Sequence, residues 1–343
     1  MYQSIKMPNQ AIMLNAQKRV DQLVKPQKSL GDLEAFAIRL AGIYECPNPS
    51  IEKKAVIVFC ADHKVCDEDI ASAPPIVTLL QSINIAKGVS GLSAMAKALN
   101  VDVFTVDIGI NCESTPDSLI DKKIKKGADN IAIGYAMTLE EVHRAIQVGI
   151  DMVQDLKSQG YNLLATGEMG IGNTTPATAL LSAITGNPAE SLTGQGANYP
   201  VHKLEHKSDV INRALTSKTF DSTNPIELLS ALGGLEIAGM TGAMIGAAES
   251  KLPMVVDGYI ATVSAILAVM INPTVKDYLF PSHASFEKSA KLASDFLGLK
   301  PFLHLEMRLG EGSGAILAFP VLEAACAMIN YMATFEEAGI GVV

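Results

Sequence analysis

The chain has 343 residues, 48% of them hydrophobic and 5% aromatic, with 27 glycines and no tryptophan, which is enough for one large α/β core with a smaller appendage. Its formal net charge of -9 offers no global attraction for nucleic acid or an anionic membrane surface, so an anionic ligand must be met by local backbone donors and a few Lys or Arg side chains. No apolar run reads as a membrane span, the N-terminus lacks a charged segment leading into a clean apolar one, and the five cysteines are scattered without CxxC spacing; a soluble cytoplasmic protein with reduced thiols and no metal centre is expected.

Apolar spacing predicts helices over residues 8–24 and from Leu30 to about Tyr44, an αα-hairpin ahead of any strand. After the breaker Cys46-Pro-Asn-Pro-Ser50, the run AVIVFC (55–60) has the composition of a strand buried on both faces. Asp62 follows where open α/β sheets hold ligands, although a loop Asp bonding nearby amides fits equally well. A helix through about Ile85, another to Leu99 and a second buried strand from Val101 to Ile108 come next. The basic run DKKIKK (121–126) has no interleaved aromatics and reads as a solvated loop or strand edge. Thr138 and Glu141 have capping-box spacing at the head of a helix running to about Ser158, and Asn162 to Thr166 is a third strand. Strands alternating with helices predict parallel βαβ units: an α/β fold with a Rossmann-like, mostly parallel sheet flanked by helices.

Three glycine-rich stretches carry the candidate chemistry. Gly167-Glu168-Met169-Gly170-Ile171-Gly172-Asn173-Thr174-Thr175 precedes a small-residue helix opened by Pro176, and its exposed N–H groups suit a phosphate or simply a tight turn. It matches neither a P-loop nor a good GxGxxG. Gly194-Gln195-Gly196 is a second turn, followed by His202, Lys203, His206 and Lys207, any cation of which can meet a phosphate as a point charge. The two histidines stand at i, i+4 without HExxH or a carboxylate ligand, which argues against zinc, and His283 and Ser285 lack a GxSxG elbow. Glu311 lies between Gly310 and Gly312 ahead of an apolar helix predicted over Ala315 to Met328; a helix-start charge and a catalytic carboxylate both fit that position.

GEMGIGNTTPATAL (167–180), LGGLEIAGMTGA (232–243), VVDGY (255–259), HASFE (283–287) and RLGEGSGA (308–315) together resemble the nicotinate-nucleotide:dimethylbenzimidazole phosphoribosyltransferase family over nearly the whole chain. The resemblance implies transfer of the phosphoribosyl group of nicotinate mononucleotide to a cobamide lower-ligand base, with inversion to an α-ribotide and release of nicotinate. It assigns Glu311 as general base and Glu168 as supporting acid. Gly170, Ile171, Gly172, Asn173, Thr174, Gly194, Gly196, Lys207 and Ser285 are assigned to the nucleotide and its phosphate, and Asp62, Ala71, Pro74, Leu80, Met169 and Leu309 to the base. It further implies no cofactor or metal, no nucleic-acid or membrane partner, and a dimer, homomeric or with a paralogous subunit. A small helical domain from residues 1–50 and 316–343 and a large domain over 51–315 are expected.

The sequence departs from the family pattern around Pro74. The positions that usually carry Ser and Gln fall on Ala71 and Leu80, which points to a base with fewer ring nitrogens, such as phenol or p-cresol. Lys64 stands where Gly usually follows Asp-His, and Ala197-Asn198 where Thr-Gly is usual. A weakly active subunit that completes a partner's site is the competing reading.

Overall fold

The protein is described from a computed structural model over residues 4–340. In chain order the elements are α1 (Gln10–Gln22), α2 (Asp32–Ile43), β1 (Lys54–Ala61), α3 (Ile76–Ala86), α4 (Gly91–Ala98), β2 (Asp102–Gly109), β3 (Ile120–Asp121), α5 (Leu139–Ser158), β4 (Leu163–Met169) and α6 (Thr174–Thr185). Then come α7 (Ala189–Leu192), α8 (Leu204–Thr216), α9 (Pro225–Leu232), α10 (Leu235–Glu249), β5 (Met254–Val255), α11 (Tyr259–Ile271), β6 (Leu279–Phe280), α12 (Ala290–Leu297), α13 (Ser313–Leu317) and α14 (Phe319–Tyr331).

The six strands form one sheet in the order β3-β2-β1-β4-β5-β6, every neighbouring pair parallel. Winding reverses between β1 and β4, so the crevice for a ligand opens beyond the C-terminal ends of those two strands. β1 is buried at every position, as its unbroken apolar run predicts for a strand covered on both faces. Alternation along it assigns the layers: Phe59 meets Gly239 of α10, while Val56 and Cys60 point the other way, to Gly312 and to Ser82 of α3. The capping box at Thr138 and Glu141 is formed. The basic run flanks the edge strand β3, with Lys123 paired to Asp107, Lys125 to Asp129 and Glu141, and Lys126 to Glu113.

Helix α10 is buried along nearly its whole length and crosses α5 at glycines. A Cβ at Gly242 would collide with the backbone carbonyl of Ile146, and one at Gly149 with the carbonyl of Gly239. Backbone cannot rotate away as a side chain can, so Gly242→Ala is expected to destabilise the fold by about 3 kcal/mol, measured as a lower denaturant midpoint at unchanged m-value.

Helix α1 and the segment after it meet α14 and the residues that follow it. Leu23 bridges Thr334, Arg19 Nε donates to the Ile329 carbonyl at 2.8 Å, and the Phe335 N–H to the Gln22 carbonyl at 2.9 Å. From α2, the Arg39 guanidinium lies 3.6 Å from the Phe280 ring centroid and donates to the Leu279 carbonyl, which ties the hairpin to the last strand as well. The apolar helix expected from Ala315 to Met328 is two helices, because Pro320 has no N–H to donate and cannot continue α13; Ala318 ends one helix and begins the next. Taken together, Ser313–Tyr331 matches a membrane span in length and composition alone, a test that buried core helices also pass. It is 56% buried inside the fold, as core helices are.

Candidate active site

Beyond the ends of β1 and β4 lies a cavity of about 280 Å³. The turn Gly310–Gly312 forms one wall. All three of its residues are left-handed, with φ of 82°, 64° and 89° for Gly310, Glu311 and Gly312, and Glu311 alone bears the steric cost of a Cβ there. The turn docks tightly: a Cβ at Gly310 would overlap Glu168 Oε1, and one at Gly167 the Glu311 carbonyl. Asp257, just past β5, holds it from below. Its Oδ1 accepts from the Gly314 and Ala315 N–H groups, both at 2.9 Å, and its Oδ2 from the Gly312 N–H at 3.1 Å. Asp257 therefore caps α13, and Glu311 is free of the capping role that its position suggested.

The Glu311 side chain is 3% exposed and is bonded to two helices, α3 and α4. Gln81 Nε2 on α3 donates to Oε1 at 2.6 Å, and the Leu92 N–H in the first turn of α4 donates to Oε2 at 3.4 Å. The first turn of α4 thus points a backbone donor at this side chain. Glu168, at the end of β4, has the opposite character. Burial drives its pKa well above the usual carboxylate range; the hydrogen bond from Asn173 Nδ2 opposes this, and the charges of Asp257, Glu236 and Glu311 add to the rise. One cavity therefore holds an acid whose protonated form burial favours beside Glu311, which has a helix end behind it.

The turn after Glu168 is built as a cradle. Gly172 has φ 85°, and a Cβ there would stand 2.6 Å from Cys66 Sγ. Ile171 N–H donates to Thr78 Oγ1 at 3.0 Å, and α6 begins at Thr174. Beneath Gly170, the His63 imidazole contacts Glu236 Oε1 at 2.7 Å, both groups buried. Burial lowers the His63 pKa, but the charge and hydrogen bond of Glu236, with Asp62, outweigh it and leave the pKa raised. Lys207 from α8 is 2% exposed and donates to Thr174 Oγ1 at 2.9 Å and to the Gly194 carbonyl at 3.3 Å. Burial pushes its pKa down to about 8.

The structure gathers Glu311, Glu168, Met169, Gly170, Ile171, Asn173, Thr174, Gly196, Ser285 and Leu309 around the main cavity. Lys207, Gly172 and Ala71 line a small adjoining cavity, and Gly194 a neighbouring cleft. Besides Ala71, three expected base-binding residues do not line the main cavity. Pro74 is exposed on the run into α3. Asp62 is buried behind it, accepting from the Asn111 N–H at 2.7 Å, because the chain after β1 turns toward β2 before reaching the crevice. Leu80 is 52% exposed, and Gln81 is the side chain that enters. One helical residue turns a side chain by about 100°, so the face carrying buried Thr78 carries Gln81 and not Leu80. That i, i+3 relation was available in the sequence. Asp257, His283, Tyr259 and Arg308 also line the cavity without having been assigned to it, although each lies in or beside a recognised motif.

A phosphoribosyltransferase family model matches residues 5–340. The chain is 47% identical, over 97% of its length and 95% of the relative's, to the nicotinate-nucleotide–dimethylbenzimidazole phosphoribosyltransferase of Alkaliphilus metalliredigens (strain QYMF). It is 42% identical to the Escherichia coli (strain SMS-3-5 / SECEC) protein of the same name, over 96% of this chain and 92% of that one. The crystal structure of the Thermus thermophilus enzyme superposes with a TM-score of 0.91 at 37% identity, covering 98% of this chain and 100% of that one. On that family match and those identities and coverages, the chain belongs to the nicotinate-nucleotide–dimethylbenzimidazole phosphoribosyltransferases and is an enzyme of that family.

Proposed function

We propose that this enzyme moves the 5-phosphoribosyl group of nicotinate mononucleotide onto an aromatic base, with Glu311 as general base. The acceptor nitrogen attacks C1′ from the face opposite nicotinate and forms the new bond. The old C1′–N bond breaks with its electron pair going to the pyridinium nitrogen, and the acceptor's proton goes to Glu311. The product is an α-ribotide 5′-phosphate, with inversion at C1′. Nicotinate is already a good leaving group, so positioning across C1′ supplies most of the acceleration. The observation that carries this reading is the Glu311 carboxylate itself: buried, on a strained backbone, lining the cavity and bonded to Gln81 and the head of α4. Glu168, whose protonated form burial favours, is suited to donate a hydrogen bond where Glu311 accepts a proton.

A benzimidazole with an ionisable ring N–H is favoured over phenol. The phenol expectation rested on Ala71 and Leu80, yet Leu80 faces outward, Ala71 borders the adjoining cavity, and Gln81 supplies the polar group thought missing. The test is incubation of the purified chain with nicotinate mononucleotide and a panel of benzimidazoles, purines and phenols, with the ribotides assigned by mass and anomeric configuration. No ribotide from any acceptor, or a β-linked one, sinks the reading.

Lys207 is the proposed phosphate partner, and its pKa gives a pH test. Below about 8 it is an ammonium; above that it loses its proton in the free enzyme, and binding a phosphate must restore it. The KM for nicotinate mononucleotide is expected to rise as pH increases through about 8, approaching roughly tenfold per unit. A KM unchanged up to about pH 9.5 would remove Lys207 from that role.

A further inference from the structure

The proposed donor carries two anionic groups, the 5′-phosphate and the pyridine carboxylate, at opposite ends of the nucleotide. Lys207 stands with Gly172 and Thr174 around the small adjoining cavity, and its role at the phosphate leaves the carboxylate to be met elsewhere. Three carboxylates besides the buried Glu168 line the main cavity, Asp257, Glu287 and Glu311, and only one Arg or Lys among the described residues, Arg308. Against such a wall a nicotinate anion is repelled unless a cation faces it, whereas a neutral carboxamide is not.

Arg308 is placed to be that cation. Its Nη1 donates to the Gly196 carbonyl at 3.3 Å and its Nη2 to Asn198 Oδ1 at 3.0 Å. Both acceptors are neutral, so these bonds orient the guanidinium without cancelling its charge, and further N–H donors of the fork remain for a ligand. A ring carboxylate offers two coplanar oxygens that fit this fork; a carboxamide offers one acceptor and a clashing NH₂. Resting on the reaction proposed above, we propose that Arg308 selects nicotinate over nicotinamide nucleotides by pairing with the pyridine carboxylate of the donor.

The experiment compares calorimetric binding of nicotinate mononucleotide and nicotinamide mononucleotide to the wild-type chain, Arg308→Met and Arg308→Lys. The Met variant is expected to weaken nicotinate mononucleotide on the order of 10- to 100-fold. Nicotinamide mononucleotide should change by less than about threefold, and Lys should restore part of the loss by keeping charge without the fork. The kcat/KM values with a benzimidazole acceptor should show the same split. Equal losses for both donors would mean that Arg308 meets the shared phosphate or only props the Gly196–Asn198 loop, and would overturn the assignment, as would unchanged binding of both. Retained binding of the amide nucleotide shows that the variant cavity is intact. A wild-type chain that discriminates between the donors but forms no ribotide overturns the reaction and leaves the selectivity standing.

Discussion

Glu311→Ala is expected to lower kcat for ribotide formation by ~100- to 10,000-fold, the range that loss of a positioned general base produces. The KM for nicotinate mononucleotide should move little, because the groups assigned to its phosphate lie outside the Gly310–Gly312 turn, in the loop between β4 and α6, in the Gly194–Gly196 turn and at Lys207 on α8. Glu311→Gln keeps the volume and an acceptor for the Gln81 amide, so its failure to restore activity would separate proton removal from mere packing. The turn itself should survive either change, since Asp257 holds it through backbone N–H groups that the side chain at 311 does not touch. A kcat within about threefold of wild type in the Ala variant would remove Glu311 from the chemistry.

Asp257→Ala is the second large effect, reached by another route. The substitution strands three N–H groups, those of Gly312, Gly314 and Ala315, in a buried place. Each unsatisfied group costs about 1–3 kcal/mol, and hydrogen bonds to a charged acceptor are at the upper end. The Glu311 turn is the segment that loses this support, and a displacement near 1 Å at a reacting group can cost ~100-fold in rate. A fall in kcat of roughly that size is expected together with a lower thermal midpoint, whereas Asp257→Asn, which keeps one oxygen, should lie between. Loss of stability at unchanged kcat per folded molecule would show that α13 is capped for the sake of the fold alone.

Much of the fold was legible because the signals were local. The β-branched run at 55–60, the strand at 101–108 and the Thr138 capping box each specify their element within a few residues. The two-residue strands β5 and β6 take their state from pairing with neighbours far away in sequence. The head of the apolar C-terminal helix misled because hydropathy there is continuous while the break comes from a single residue, Pro320. In the site, the glycine turns and their carboxylates were legible as motifs. Gln81 was missed by one position in a helix, where one residue decides between cavity and solvent. Asp257 was visible as an acid at a strand end, but what it caps lies 55 to 58 residues further along the chain.

The backbone at Glu311 has a consequence for how relatives of this chain should diverge. Among ordinary residues only glycine rests there without strain, and the glycines on either side show what the turn prefers for stability. A lineage that had shed transfer and kept only nucleotide binding would be released from holding a carboxylate in this conformation and would be expected to drift toward glycine or asparagine. On the role proposed for Glu311, the identity of this one residue would separate copies that keep the reaction from copies that only bind nucleotide, and in this chain it is glutamate.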